Sequence, residues 1–143
     1  MITKPSENDF EQLITIWENA VRATHSFVTE EDIRQYKPLI LNEYFHVVEL
    51  FCNREEHQSI NGFMGIAGDK LEMLFVDNCR RGEGIGKELL TYAINRLKVN
   101  KVDVNEQNPQ AVDFYKHMGF RVVSRSAVDS TGKNYPILSM ELK

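Results

Sequence analysis

Apolar residues recur at helical spacing in the first third of the chain and again after residue 85, with short apolar runs of β-prone residues between. From Phe10 onward, Leu13, Ile14, Trp17, Ala20 and Val21 fall on one face of a helix, and Ser6 or Asn8 precedes them as an N-cap. Thr29 opens a second helical pattern. Glu30, Glu31 and Asp32 stand where the dipole of a helix start favours acids, and Ile33, Tyr36, Leu39 and Ile40 form its inner face. Pro38 lacks an amide proton and crowds the preceding turn, so it kinks or divides that helix. From His46 the pattern changes to "HVVELF", "INGFMGIAG" and "LEMLFV", three strand-like runs with a hairpin at Gly68, Asp69 and Lys70.

Helical spacing returns between Glu88 and Leu97, with Leu89, Leu90, Ala93, Ile94 and Leu97 on one stripe, and "KVDV" then reads as a short strand. Asn108 and Pro109 supply an N-cap and a first-turn proline for a helix through "QAVDFYKHM", which Gly119 ends in a left-handed cap. Two strands follow, "FRVVSRSAV" and "YPILSMEL", around the turn "DSTGK". Helices, three strands, helix, strand, helix and two strands predict an α/β (α+β) fold in which helices cover a mixed sheet. With 143 residues, no internal repeat and no linker-like stretch, a single domain over residues 1–143 is expected.

Composition narrows the function. A chain 42% hydrophobic and 27% charged is ordinary for a soluble globular protein, and its net charge of -4 argues against general nucleic-acid binding. Cys52 and Cys79 are far apart, which disfavours a disulfide framework and fits a reducing compartment. His46, His57 and His117 have no metal-ligand spacing to carboxylates or cysteines, so no metal is expected. "MITKPSENDF" lacks the apolar core of a secretory signal, and no run approaches a membrane span. The expected location is the cytoplasm, with no membrane partner.

The stretch "RRGEGIGKELL" puts glycines at 82, 84 and 86 between a strand and a helix. Amides unobstructed by side chains, at the positive end of a helix dipole, make an anion site. A nucleotide P-loop would need Ser or Thr after its lysine, but Lys87 is followed by Glu88. A dinucleotide fingerprint would need its third glycine where Lys87 stands. A plain turn is the remaining alternative on these residues alone.

Two segments together add more. "FVDNCRRGEGIGKELL" with "NPQAVDFYKHMGF" resembles the GNAT superfamily of acyl-CoA-dependent N-acyltransferases, in Arg81, Gly84 and Gly86 and then Asn108, Ala111, Phe114, Tyr115, Gly119 and Phe120. The element order extends the resemblance over the whole chain, most strongly from Leu71 to Val128, toward the small stand-alone bacterial type. The resemblance implies a mixed, mostly antiparallel sheet of six to seven strands with helices on both faces. It also implies acetyl-CoA as co-substrate, with the amides of Arg81, Gly82, Glu83, Gly84, Ile85, Gly86 and Lys87 on its diphosphate. Pantetheine would pair like an added strand with Leu74, Phe75 and Val76, and Asn108 would contact the cofactor. The acceptor would be a primary amine of a small molecule or protein, and the assembly a monomer or homodimer.

The chemistry asks for a base and an acid. An amine of pKa ~10.4 must lose a proton before it attacks, and the departing thiolate must gain one. Tyr115, a phenol of ordinary pKa ~10, matches the family's acid or a contact to the cofactor's thiol, although Ala111, Phe114, Tyr115 and Met118 also read as a packing stripe. Glu72 alternates with Leu74 and Val76, and is either a wet strand end or a base at the cleft. His25, between the first two helices, either caps a helix or borders the acceptor as a second candidate base. Asn105 either faces the acceptor or begins a turn. Arg80, Arg81 and Lys87 side chains add charge to the loop or are simply solvated. Cys79 has no base partner in sequence, so direct attack is expected. A non-catalytic acyl-CoA-binding module is the alternative.

Overall fold

The structure, a computed structural model, describes residues 1–55 and 59–143. Helix α1 (Phe10–Thr24) grows from a 3₁₀ turn at Glu7–Asp9, where the Ser6 amide donates to the Asp9 carboxylate at 2.9 Å. Ser6 rather than Asn8 therefore marks the helical start. Helix α2 (Glu30–Leu39) is capped by the Thr29 hydroxyl, which accepts from the Asp32 amide at 3.1 Å. Pro38 does not end the helical run. A π-helical turn (Ile40–Tyr44) and a short α3 (Phe45–Val47) follow, so His46 and Val47 of the run expected as strand are helical. The wide turn brings Ile40 and Phe45, five residues apart, into one apolar cluster, and that burial outweighs the β propensity of the two valines.

Among the described residues one sheet contains β1 (Ile2–Thr3), β2 (Glu49–Arg54), β3 (Ile60–Ala67), β4 (Lys70–Val76), β5 (Lys101–Asn105), β6 (Phe120–Ser126) and β7 (Ile137–Leu142). Their order is β1-β2-β3-β4-β5-β7-β6, antiparallel everywhere except between β4 and β5. β1 was not expected, because two residues cannot display a period; its pairing of Ile2 with Asn53 and Thr3 with Cys52 defines it.

Helices cover both faces. Leu50, Cys52 and Phe63 pack with Leu13, Ile14 and Trp17 of α1 on one side. On the other, Phe51, Met64, Val102 and Met140 meet Leu89, Leu90 and Ala93 of α4 (Ile85–Leu97) and Tyr115 of α5 (Pro109–His117). Each buried Leu, Ile, Val, Phe or Met among them contributes roughly 1.5–3 kcal/mol. α4 starts three residues before the expected Glu88 because the glycine loop itself turns into the helix at Gly84.

Two irregularities in β4 position the site. Gly65 pairs with Met73 and Ile66 with Leu71, which leaves Glu72 as an extra, bulged residue. Strict alternation would put Glu72 with Leu74 and Val76. The bulge instead puts Leu71 in their cluster and Met73 and Phe75 in the opposite one, so that expectation fails. The parallel pairing with β5 is confined to Lys70 with Lys101 and Leu71 with Val102, whereas β3 continues alongside β4 as far as Val76. Beyond Glu72 the two halves of the sheet separate.

Candidate active site

The parted strands leave the β5-side edge of Met73 to Val76 without a strand partner. Between that edge and α5 lies a cleft of about 230 Å³, lined by Leu74, Phe75 and Val76 on one side and Asn108, Phe114 and Tyr115 on the other. Arg81 and Gly86 close one end. The spacing that singled out the glycine loop and the Asn108 helix thus corresponds to two walls of one opening.

Within the loop the three glycines do different things. Gly82 and Gly84 have φ of +84° and +82° with nothing within 4 Å of an added Cβ, so backbone conformation rather than space selects glycine. Gly86 has no such φ. A Cβ there would lie 3.6 Å from Val76 Cγ2 and 3.8 Å from Phe114 Cζ, in the cleft itself, and its absence keeps that volume free for a guest. The first α4 hydrogen bond runs from the Glu88 amide to the Gly84 carbonyl at 3.0 Å. The amides of Ile85, Gly86 and Lys87 have no partner among the described residues and stand at the positive end of a thirteen-residue helix. This cradle suits a diphosphate.

Side chains add little charge here. Arg80 pairs with Glu83 at 3.2 Å on the surface, and Lys87 is exposed. Arg81 donates to the Gln110 carbonyl oxygen at 2.6 Å, fastening the loop to the first turn of α5.

Tyr115 is 7% exposed, its ring edge-on to Phe114 at 5.2 Å and Phe120 at 5.9 Å. It is both core and cleft wall. Its hydroxyl has no hydrogen bond among the described residues, yet no sealed side-chain oxygen among them lacks a partner, so the hydroxyl opens on the cleft. Burial pushes the phenol well above its ordinary pKa, which keeps the proton on at neutral pH. Asn108 is also buried; its Oδ1 accepts from the Ala111 amide at 3.3 Å, and the residue lines the cleft.

A larger cavity of about 570 Å³ lies across β4, walled by Trp17, Tyr36, Tyr44, Met73, Phe75 and Tyr135. A hollow of about 150 Å³ at the strand gap shares Glu72, Met73 and Asn105 with it and Leu74, Asn108 and Tyr115 with the cleft. His25 and Phe75 line all three spaces.

His25 both caps and faces the cavities: its amide donates to the Val21 carbonyl at 2.8 Å while its ring borders the open space. Burial draws its pKa below the ordinary value. The bulge brings Glu72 to the larger cavity, with Lys70 Nζ 3.9 Å away and its side chain 37% exposed. Lys70 is itself paired with Asp103. Asn105 accepts from the Gln107 amide at 2.9 Å and also lines the larger cavity, so it begins a turn and borders the site. His46 packs edge-on to Phe10, the His117 Nδ1–H donates to the Asp113 carbonyl at 2.9 Å, and His57 lies outside the described residues.

The sequence did not reveal how the far wall is held. Tyr36 of α2 donates to Asp129 at 2.5 Å, Tyr135 donates to Asp32, and Lys133 Nζ lies 3.1 Å from Asp32. These contacts fasten the loop between β6 and β7 onto α2. Their partners are 93 and 103 residues apart, beyond any local period. Among the described residues no helix is long and apolar enough to cross a membrane.

Comparison with known proteins agrees with this geometry. The acetyltransferase (GNAT) domain profile matches residues 12–142. Peptidyl-lysine N-acetyltransferase YjaB of Salmonella typhimurium is 37% identical over 139 residues, covering 97% of this chain and 95% of that protein. The solution structure of apo-form YjaB from Escherichia coli aligns with a TM-score of 0.88 at 36% identity, over 99% of this chain and 95% of that one. PaiA N-acetyltransferase from Thermoplasma acidophilum, solved in complex with coenzyme A, shares the fold at a TM-score of 0.77 and 24% identity, over 100% of this chain and 98% of that one. Glycine loops occur on many folds, but a loop that feeds a parted β4 and β5, matched along nearly the whole chain, makes this protein a member of the GNAT acetyltransferase family, an N-acetyltransferase.

Proposed function

We propose that this protein transfers the acetyl group of acetyl-CoA to a lysine side-chain amine of a protein substrate by direct attack. The observation that carries the reading is the unpaired edge of β4, which leads from the glycine loop to the Tyr115 hydroxyl and adjoins a second cavity on its other side. Bound acetyl-CoA supplies a thioester, whose carbonyl carbon accepts a nitrogen lone pair and whose sulfur leaves.

The chain's own residues do the rest. Amides from Arg81 to Lys87 hold the diphosphate, with Gly86 leaving the room it needs. Main-chain groups of Leu74, Phe75 and Val76 pair with the amides of the extended arm. Asn108 turns its buried side chain to the same cleft. Tyr115, protonated at neutral pH, gives its proton to sulfur as negative charge develops there. Cys79 is exposed and lines none of the three spaces, which supports direct attack over an acyl-enzyme.

The acceptor side suits a long aliphatic stem ending in a cation. Trp17, Tyr36, Phe75 and Tyr135 offer apolar and π surface, and Glu72 and Asp129 supply negative charge toward an entering ammonium. Relatives named as peptidyl-lysine acetyltransferases support the choice of lysine over a free polyamine. The test is a panel of lysine peptides and free amines with acetyl-CoA, followed by thiol release and product mass. Transfer to peptides is expected; transfer confined to free amines refutes the protein acceptor. Tyr115→Phe should lower kcat by about 10²-fold, far more than it lowers coenzyme A affinity, and an unaltered kcat removes Tyr115 as the acid.

A further inference from the structure

We propose that His25 is the base that removes the acceptor's proton, through Nε2, with Thr24 as a positioning residue that fixes the ring tautomer. The inference rests on the acetyl-transfer reading and adds the group that reading lacks. Thr24 has one hydroxyl proton and two close contacts, the Ala20 carbonyl at 2.7 Å and His25 Nδ1 at 2.7 Å. A carbonyl can only accept, so the hydroxyl proton goes to Ala20. The contact with His25 is then an N–H donated by Nδ1 to the hydroxyl oxygen. No other assignment puts a proton in both contacts. A neutral imidazole protonated on Nδ1 carries its lone pair on Nε2.

That nitrogen is available. It has no hydrogen-bond partner among the described residues, and no sealed side-chain nitrogen among them lacks one, so Nε2 reaches open space. His25 and Phe75 are the residues common to the cleft, the gap and the larger cavity, which is where an amine from one side must meet a carbonyl from the other. The ring is held from two directions, by Thr24 and by the Phe27 ring at 5.3 Å. Burial keeps it neutral at pH 7, and so ready to accept. Glu72 is less well placed: its side chain is 37% exposed, and it lines the larger cavity and the gap but not the cleft. The other titratable groups around these spaces are Asp103 of β5, Tyr115 of α5, Arg81 of the glycine loop, Tyr36 of α2, Tyr44 of the π-helical turn, and Asp129 and Tyr135 of the β6–β7 loop.

The protons balance. A lysine ammonium gives one proton to Nε2, and the freed nitrogen pair forms the C–N bond while the C–O π pair moves to oxygen. That pair returns, the C–S bond breaks with its electrons on sulfur, and sulfur takes the phenol proton of Tyr115. The second proton leaving nitrogen restores the phenol, and the imidazolium returns its proton to water.

The experiment is the pH dependence of kcat/KM with a lysine peptide. Without a base only the neutral amine reacts, on the order of one part in 10³ at pH 7 for a pKa of ~10.4. The wild-type profile should rise through an apparent pKa below that of an ordinary imidazole and then stay level to about pH 9. His25→Gln should lose the level region, with a deficit of about 10²-fold to 10³-fold at pH 7 that shrinks about tenfold per pH unit. Thr24→Val should cost roughly tenfold and Thr24→Ser should restore the rate, a single cooperative urea transition in all three being the check on folding. Nitrogen-15 NMR of the ring should show the proton on Nδ1 in the wild type and a tautomer mixture in Thr24→Val.

A His25→Gln enzyme that keeps the level region overturns the proposal, as does a wild-type ring protonated on Nε2. Loss of the level region in Glu72→Gln instead makes Glu72 the base. The NMR measurement needs no acceptor. A wild-type enzyme that acetylates free amines but no peptide therefore refutes only the lysine reading, and the tautomer and the profile with the accepted amine still decide His25.

Discussion

The cleft between β4 and α5 and the larger cavity between α2 and the β6–β7 loop share Phe75 and His25, yet they are made of different materials. The cleft is largely backbone: two glycines at positive φ, a third that leaves a volume empty, three free amides at the start of α4 and an unpaired strand edge. The cavity is side chain: Trp17, Tyr36, Tyr44 and Tyr135 from separate elements, with Tyr36 and Tyr135 held by Asp129, Asp32 and Lys133. A backbone site serves a ligand that is always the same. A side-chain site can change its walls without disturbing the sheet, so acceptor choice can vary while the cofactor grip stays.

Two glycines separate these sites most sharply. Gly84 in the loop and Gly132 between β6 and β7 have φ of +82° and +85°, and neither would meet an atom within 4 Å if given a Cβ. The local strain of a side chain is therefore nearly the same at both, on the order of 1–2 kcal/mol and more for a β-branched residue. Gly84→Val should weaken coenzyme A binding by at least about tenfold by calorimetry, because it distorts the amides proposed to hold the diphosphate. Gly132→Val should leave that affinity unchanged and raise the acceptor KM. If Gly132→Val weakened coenzyme A binding as much as Gly84→Val, the two sites would be one mechanical unit and the contrast would fail.

The fastening of the loop gives a smaller effect in the same direction. Tyr135→Phe removes the hydroxyl that donates to Asp32 but leaves Lys133 on the same carboxylate. A single hydrogen bond to a charged group at a partly exposed position makes a modest difference, so the acceptor KM should rise by about three- to fivefold. Steady-state kinetics with acetyl-CoA varied should show no change. An altered KM for acetyl-CoA would mean that the loop also shapes the cleft.

The same contrast explains what the sequence disclosed. Gly84 and Asn108 were readable because each answers a local backbone demand, a left-handed turn and an N-cap, whereas Gly86 and Tyr115 were singled out by the family resemblance, the helical period of Tyr115 reading equally as packing. Fold class followed from element order, and the helical stripes of α1 and α4 fell where spacing put them. Glu72 defeated alternation because a bulge is a property of strand pairing, and pairing with β3 and β5 is not written within β4 itself. The helical turns beyond Ile40 were missed because Ile40 and Phe45 are brought together by tertiary burial against a local preference for strand. Tyr36 and Tyr135 carry no local signal, since their partners are about a hundred residues away.

The smallest expected effect concerns the element that both spaces share. α1 contributes Trp17 to the cavity and Ala20 and Thr24 to the cleft, and its start is tied to β2 by Arg54, whose guanidinium lies 2.7 Å from the Asp9 carboxylate. The hydrogen bond from Arg54 is the largest influence holding the Asp9 pKa below its ordinary value, ahead of the Ser6 amide. A carboxylate with a depressed folded pKa contributes stability that is fully present above the unfolded value, ~3.9, and is lost as pH falls through the folded value. Arg54→Met should therefore cost about 1 kcal/mol or less near pH 7 by urea denaturation, and the gap from wild type should close as the solution is taken below about pH 4. Because α1 is also buried along its whole inner face by Leu13, Ile14, Trp17 and Val21, it should keep its place in the variant, and neither coenzyme A affinity nor acceptor KM should move. A change in one of these constants without the other would mean that α1 pivots about its anchored end, coupling helix position to a single site; equal changes in both would mean that the cleft and the cavity depend on the helix in the same degree.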